Sequence, residues 1–267
     1  MTPSNAILAT LLLPGAAHAA LGKPLRGALA FLVTVGMFWC GYAILGDRVF
    51  HSVLFEPFSL LARVFEFVPL NLLPESVNLG CTIVANLLRD VPVDPSAHDE
   101  MTRALRAAQP GEHVGFFLTG CSGIVAALFA ADAHGLAYGQ GPRPRNRALM
   151  SGLSWLLPGS GHFLAGHRNK GFLMGGAVLV MFVLGLLFSE GLAVDRSHHD
   201  AYWIIQSLFG GGALVSALWF GPMEVTDSIP LRYNLGITLT AVAGLMNLVV
   251  MIDAYTVADL QKARQEG

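Results

Sequence analysis

The chain has 267 residues, of which 54% are hydrophobic and only 13% are charged. Ordinary soluble domains carry about 25% charged residues, so this composition argues against a typical soluble protein. The formal net charge of −2 argues against a nucleic-acid-binding surface, which needs a clear basic excess. We therefore expect the chain to lie among membrane lipid and to have no nucleic-acid partner.

Four mostly apolar runs are long enough to cross a bilayer. A transmembrane helix needs roughly 20 apolar residues, within a range of about 17–25. The runs that meet this requirement are residues 27–45, 114–131, 171–188 and 235–252. They predict an all-α, polytopic membrane protein with about four full spans.

A Pro-Gly-x-x-His motif stands before the first run and returns before the third. Pro14 matches Pro158, an offset of 144 residues, and the match continues without a gap through the following glycines. Glycines of this kind allow tight turns and close helix approach. The predicted turn and packing residues are Pro14, Gly15, Gly22 and Gly27 in the first copy, and Pro158, Gly159, Gly166 and Gly171 in the second.

The second and fourth runs also match each other, and each ends in Asp-Ala. Asp132 matches Asp253, an offset of 121 residues. The order is therefore motif, span, insertion and span, followed by the same order again. This pattern predicts two parallel repeats, residues 1–140 and residues 141–267, the first with the longer insertion.

Several shorter segments predict helices that enter or border the membrane without crossing it. Residues 5–13 and 148–157 are too short to cross before Pro-Gly ends the helix. Residues 51–73 predict a helix in the interface, and residues 91–112 a small solvated patch. Residues 202–220 favour a re-entrant pair of short helices broken at the Gly210–Gly212 triplet, although their aromatic ends leave a single span as the alternative.

Basic residues flank the second motif on both sides. Those before it are Arg143, Arg145 and Arg147, and those after it are Arg168 and Lys170. Short cytoplasmic segments carry an excess of Lys and Arg. We therefore expect a multi-pass protein of the cell inner membrane, with both motif turns and the C-terminus in the cytoplasm.

This topology predicts a polar cluster of His18, His162, Asp132 and Asp253 at one membrane boundary. Each repeat supplies a His before an outgoing span and an Asp at the end of a returning span. Ionisable residues near hydrocarbon are costly, so they usually pair or serve a function. The favoured interpretation is that they cap or bridge helices, and the alternative is a pH-sensitive or proton-coupled site.

No motif in the sequence predicts catalytic residues, a metal site or a cofactor. The three cysteines form no CxxC pair, and HExxH, P-loop and GxSxG patterns are absent. An enzyme is therefore the less favoured class.

The motif resembles the TM-two domain, a small module with a pair of transmembrane helices. The residues that carry the resemblance are Gly15, His18, Gly22, Gly27, Gly159, His162, Gly166, Gly171 and Ile252-Asp253. The chain departs from the family in its long insertions and in the residues after each His, which are Ala19-Ala20 and Phe163-Leu164 instead of Arg-Phe-Tyr. The resemblance implies a helical membrane module of a bacterial family of unknown function, and it implies no activity.

Three function classes follow from these observations. We expect a non-catalytic structural or scaffold subunit that assembles with other membrane protein subunits. One alternative is a transporter or channel for a small or lipidic solute, which a repeated architecture with broken helices would suit. The other is an intramembrane enzyme that uses the His and Asp residues.

Overall fold

The computed structural model of the protein describes residues 1–50, 73–88, 110–138, 146–195, 200–220 and 230–266. Every regular element in this part is helical, which confirms the all-α class. In chain order the α-helices are α1 (Pro3–Leu12), α2 (Ala16–Ala20), α3 (Pro24–Leu45), α4 (Leu79–Leu88), α5 (Glu112–Ala137), α6 (Arg147–Leu156), α7 (Ser160–Leu164), α8 (Arg168–Phe188), α9 (Asp200–Gln206), α10 (Gly210–Phe220) and α11 (Tyr233–Glu266). The predicted interfacial helix at 51–73 and the solvated patch at 91–112 lie almost entirely outside the described residues.

Four of these helices are long and apolar enough to cross a membrane. They are α3, α5, α8 and the Tyr233–Val257 part of α11. The four predicted spans are thus confirmed, and each helix begins two or three residues before the predicted apolar run. The difference arises because the first turns carry polar residues, such as Arg26 in α3 and Glu112 in α5, which a hydropathy run leaves out.

Helices α1 and α6 begin and end in the same way. The Thr2 hydroxyl accepts a hydrogen bond from the Asn5 N–H, and the Asn146 side-chain oxygen accepts one from the Leu149 N–H. Each helix has 10 residues. At about 1.5 Å per residue this is roughly half of the hydrocarbon thickness, so neither helix can cross.

Close backbone contacts hold the long helices together in pairs. A Cβ atom on Gly41 of α3 would lie 2.7 Å from the Gly115 carbonyl oxygen of α5. In the second half, a Cβ on Gly185 of α8 would lie 2.8 Å from the Gly236 carbonyl oxygen of α11. Only glycine fits at either contact, and the two contacts occupy equivalent positions in the two halves.

The two halves are parallel, because the C-terminal part of α5 and the end of the apolar part of α11 both lie beside the start of α6. The Asn146 side chain, at the N-terminus of α6, donates a hydrogen bond to the Ala131 carbonyl of α5. Met150 of α6 packs against Ala254 of α11. The apolar parts of the two long helices therefore end on the same side of the bundle.

Residues 202–220 form a pair of short helices and not one continuous span. The predicted break is present, but it lies directly before the glycine triplet and not at it: α9 ends at Gln206 and α10 begins at Gly210. The glycines open α10 because they are needed for packing. A Cβ on Gly211 would lie 2.1 Å from the Leu156 carbonyl oxygen of α6.

Residues 73–88 are the counterpart, in the first half, of α10 and of the break before it. A 3₁₀ turn at Glu75–Val77 precedes α4, and Gly80 matches Gly211, an offset of 131 residues. A Cβ on Gly80 would lie 1.8 Å from the Leu12 carbonyl oxygen, at the position equivalent to Leu156. The sequence-based prediction placed these residues in an insertion, but their contacts follow the same pattern as those of the second half.

Candidate functional site

In the first half, three side chains from three helices meet at Asp132. His18 lies on α2, which starts directly after Gly15, a residue in the left-handed conformation with φ 87°. Its Nε2 atom is 3.1 Å from Asp132 Oδ2 of α5. Arg26 of α3 places Nη1 3.5 Å from the same oxygen.

The second half repeats this set with shorter contacts. His162 Nε2 of α7 is 2.6 Å from Asp253 Oδ2 of α11. Lys170 Nζ of α8 is 2.6 Å from that oxygen and 2.8 Å from Oδ1. We call these two sets, His18–Asp132–Arg26 and His162–Asp253–Lys170, the first and second clamps.

Burial within each clamp falls from the histidine to the basic residue. The side chains of His18 and His162 are 0% exposed, whereas Asp132 and Asp253 are 34% and 28% exposed. Each neutral ring that fits this geometry carries its hydrogen on Nε2, because a carboxylate only accepts. The histidines can therefore orient the carboxylates, but neither histidine side chain is exposed to an incoming molecule.

The four predicted cluster residues come together as two pairs, one in each half. Within the described residues, the ion pairs join His18 to Asp132 and His162 to Asp253. Both carboxylates lie in the stretch of α5 or α11 that passes beside α6. The clamps thus share one side of the bundle without forming one site.

The predicted turn glycines position the histidines. A Cβ on Gly15 would lie 2.0 Å from the Gly27 carbonyl oxygen, and one on Gly159 would lie 2.3 Å from the Gly171 carbonyl oxygen. These approaches hold each motif turn against the first turns of α3 and α8, which carry Arg26 and Lys170. Pro158 contributes its carbonyl oxygen to the contact with Gly175, while Pro14 precedes Gly15 in the equivalent turn.

Gly22 and Gly166 end the short helices that carry the histidines. Their φ angles are 75° and 85°, in the left-handed region that favours glycine. A Cβ on Gly22 would meet nothing within 4 Å, so its role is conformational.

The structure also reveals buried polar residues that the sequence analysis did not single out. Glu75 is 0% exposed, and its Oε1 accepts a hydrogen bond of 2.9 Å from the Thr119 hydroxyl of α5. In the second half Gln206 Nε2 donates a 2.8 Å hydrogen bond to the Thr240 hydroxyl of α11. The signal that would have found Glu75 is the 131-residue offset that pairs it with Gln206.

Across the described residues, no group of three or more His, Cys, Asp or Glu side chains is arranged to hold a metal ion.

Comparison with known proteins yields one family. A family model described as a family of unknown function, DUF6677, matches residues 5–143 and 149–266. No curated protein and no solved structure matches the chain. The resemblance to the TM-two domain gains no support from these comparisons and stays a prediction. The chain is a member of the DUF6677 family of unknown function, and its four apolar helices indicate a multi-pass membrane protein.

Proposed function

We propose that the protein is a non-catalytic structural subunit of a membrane complex, a scaffold built from two clamped halves. The observation that carries this proposal is the recurrence of one clamp in both halves, each with a histidine that has no exposed side-chain surface. A catalytic or solute-binding histidine must reach its substrate, whereas a structural one need only reach its partner.

The clamps and the glycine contacts together support a rigid frame. Each clamp joins three helices at one end of a long-helix pair, and Gly41 or Gly185 closes the same pair farther along. Packed interfaces of this kind resist gradual sliding. A frame that keeps its shape suits a subunit whose role is to present surfaces to lipid and to other membrane proteins.

A transporter is the second candidate function, and the breaks before α4 and α10 favour it. Repeated membrane proteins often place discontinuous helices around a solute site. The break before α4 and the break between α9 and α10 are equivalent features of this type. A transporter would require the halves to move relative to each other, which the close glycine contacts within each half leave possible.

We also propose that the clamps and the C-terminus face the cytoplasm of a bacterial inner membrane. Basic residues support this orientation, because Arg26, Arg168 and Lys170 lie in the first turns of α3 and α8. A cytoplasm-active reporter fused after Gly267 should be active, and the same reporter fused after Gly191 should be silent. The reverse pattern would contradict the orientation.

The scaffold proposal is tested by purifying the full chain in mild detergent and weighing the intact particle by native mass spectrometry. We expect a complex of fixed stoichiometry with another membrane protein, whose cellular level falls when this chain is deleted. A solitary chain that retains a small solute through purification would instead support the transporter.

A further inference from the structure

The four spanning helices are not equally enclosed by the rest of the chain. Helices α3 and α8 are less buried than α5 and α11. Leu25, Leu29 and Leu32 of α3 are all exposed, and their spacing places them along one side of the helix. On α8, Leu173 and Val180 are exposed and lie seven residues apart, so they also share one side. We call these two apolar surfaces, which in a membrane contact lipid chains, the α3 stripe and the α8 stripe.

Exposed cations stand at the clamp-side end of each stripe. Lys23 comes directly before α3, Arg168 is the first residue of α8, and both are exposed. Among the described residues, neither of them forms an ion pair or a side-chain hydrogen bond. Arg26 and Lys170, in the first turns of the same helices, pair with the clamp carboxylates but are still 49% and 42% exposed. The least buried helices therefore present positive charge directly beside apolar surface.

These charges do not balance at either stripe. Two basic residues accompany one clamp carboxylate in each half, which leaves an excess of one positive charge. The clamp histidines could only add to this excess, by taking up a proton. A ligand with a negative charge at one end of long apolar chains would match both the excess charge and the stripe.

The opposite end of the bundle has a different charge pattern. Within the part of the chain that the structure describes, its two cations are Arg48 and Arg232, and three carboxylates accompany them, those of Glu112, Glu190 and Asp195. Arg48 is buried and lies 3.3 Å from Glu112. The exposed Arg232 places its guanidinium 5.5 Å from the centre of the Phe188 ring, a cation–π contact. An excess of positive charge next to an apolar stripe is thus a feature of the clamp side.

We propose that the clamp-side end of each stripe binds one anionic phospholipid. The headgroup phosphate contacts Lys23 and Arg26 in the first half and Arg168 and Lys170 in the second, and the acyl chains lie along the stripe. Arg26 can serve both partners, because a guanidinium has five N–H donors and the contact with Asp132 engages one nitrogen. A zwitterionic phospholipid has the same chains but carries its own cation, which the positive excess disfavours. A free phosphate would leave the stripe unused.

This inference goes beyond the scaffold role and does not depend on it. The experiment is native mass spectrometry of the full chain in detergent, with equal amounts of phosphatidylglycerol and phosphatidylcholine that have the same acyl chains. We expect the protein to retain up to two phosphatidylglycerol molecules in preference to phosphatidylcholine. Phosphatidylglycerol should also raise the unfolding temperature, because it binds the folded state, whereas inorganic phosphate alone should not.

Single charge removals test the two sites separately. Lys23→Gln and Arg168→Gln should each weaken phosphatidylglycerol binding at one site by about fivefold, the contribution of one Lys or Arg beside an anionic lipid. Neither change breaks an ion pair among the described residues, so both variants should fold. The double variant should lose the preference for phosphatidylglycerol, and Arg168→Lys should keep it. Arg232→Gln is the matched control, because it removes an exposed cation from the opposite end and should leave the preference unchanged.

Four outcomes would overturn the sites. One is wild-type protein that retains the two phospholipids equally. Another is a double variant that still prefers phosphatidylglycerol. The third is an equal loss in Arg232→Gln, which would show that any exposed cation attracts the lipid. The fourth is stabilisation by inorganic phosphate as large as that by phosphatidylglycerol, which would assign the cations to a free anion.

Discussion

At the residue scale, each clamp carboxylate carries more than one interaction. Asp253 accepts a hydrogen bond from His162 and pairs with Lys170, so it joins α7, α8 and α11 through one side chain. Asp132 joins α2, α3 and α5 in the same way. Because each carboxylate holds three helices, its loss should matter more than the loss of one exposed ion pair.

The two clamps differ in contact length, and this difference predicts unequal stability effects. Short charge-assisted hydrogen bonds are the stronger ones. The contacts at Asp253 Oδ2 are both 2.6 Å and that at Oδ1 is 2.8 Å, whereas those of Asp132 are 3.1 and 3.5 Å. We expect Asp253→Asn to lower the unfolding temperature by several degrees, a loss of about 1–3 kcal/mol, and Asp132→Asn to lower it less.

Thermal unfolding of both variants in the same detergent measures this difference. Lys170→Ala provides a control, because its side chain is 42% exposed and a surface ion pair contributes at most about 1 kcal/mol. Equal losses in the two Asp variants, or a larger loss in Asp132→Asn, would show that contact length does not govern the clamps.

At the element scale, glycine has two roles that local sequence does not distinguish. The Pro-Gly turns were predictable, because Gly15 and Gly159 follow a proline that ends a helix. The Gly210–Gly212 triplet predicted a break, yet it lies within α10, where Gly211 packs against a carbonyl of α6. A glycine that permits a turn and a glycine that permits contact look alike until the neighbouring helix is known.

Helix α3 provides a matched pair of glycines that tests the contact role. A Cβ on Gly41 would lie 2.7 Å from the Gly115 carbonyl oxygen and 2.7 Å from Thr119 Cγ2, whereas one on Gly36 would meet nothing within 4 Å. Alanine is favoured over glycine inside a helix by about 0.5–1 kcal/mol. We therefore expect Gly36→Ala to be neutral or stabilising and Gly41→Ala to be destabilising.

The unfolding temperatures of Gly36→Ala and Gly41→Ala decide this point. Gly185→Ala should behave like Gly41→Ala, because it faces Gly236 and Thr240 at similar distances. A Gly41→Ala protein as stable as Gly36→Ala would show that the helices can separate at no cost, contrary to the close contact described.

At the scale of the whole molecule, hydropathy and internal repetition predicted the architecture, because both patterns extend over long stretches of sequence. A run of about 20 apolar residues is compatible with few structures other than a transmembrane helix, and two copies of one motif are expected to fold in the same way. Glu75 could not be found this way. A single glutamate in a mixed segment does not reveal its burial, and only its equivalence with Gln206 places it against α5.

The pairing of the clamps was only partly predictable for a related reason. The sequence placed His18, His162, Asp132 and Asp253 at one boundary, but it could not say which His meets which Asp. The structure joins each His to the Asp of its own half. The first half is further connected to the second by the Trp203 indole, which donates a 2.9 Å hydrogen bond to the Leu73 carbonyl.

A double-mutant comparison of unfolding free energies tests the central claim that the clamps are two separate structural units. His162→Ala and Asp253→Asn, alone and combined, should show a coupling energy of about 0.5–3 kcal/mol, because the two side chains are in contact. His18→Ala combined with Asp253→Asn should be additive within about 0.5 kcal/mol, since these residues belong to different clamps. Additivity between His162 and Asp253, or equal coupling between His18 and Asp253, would contradict the account.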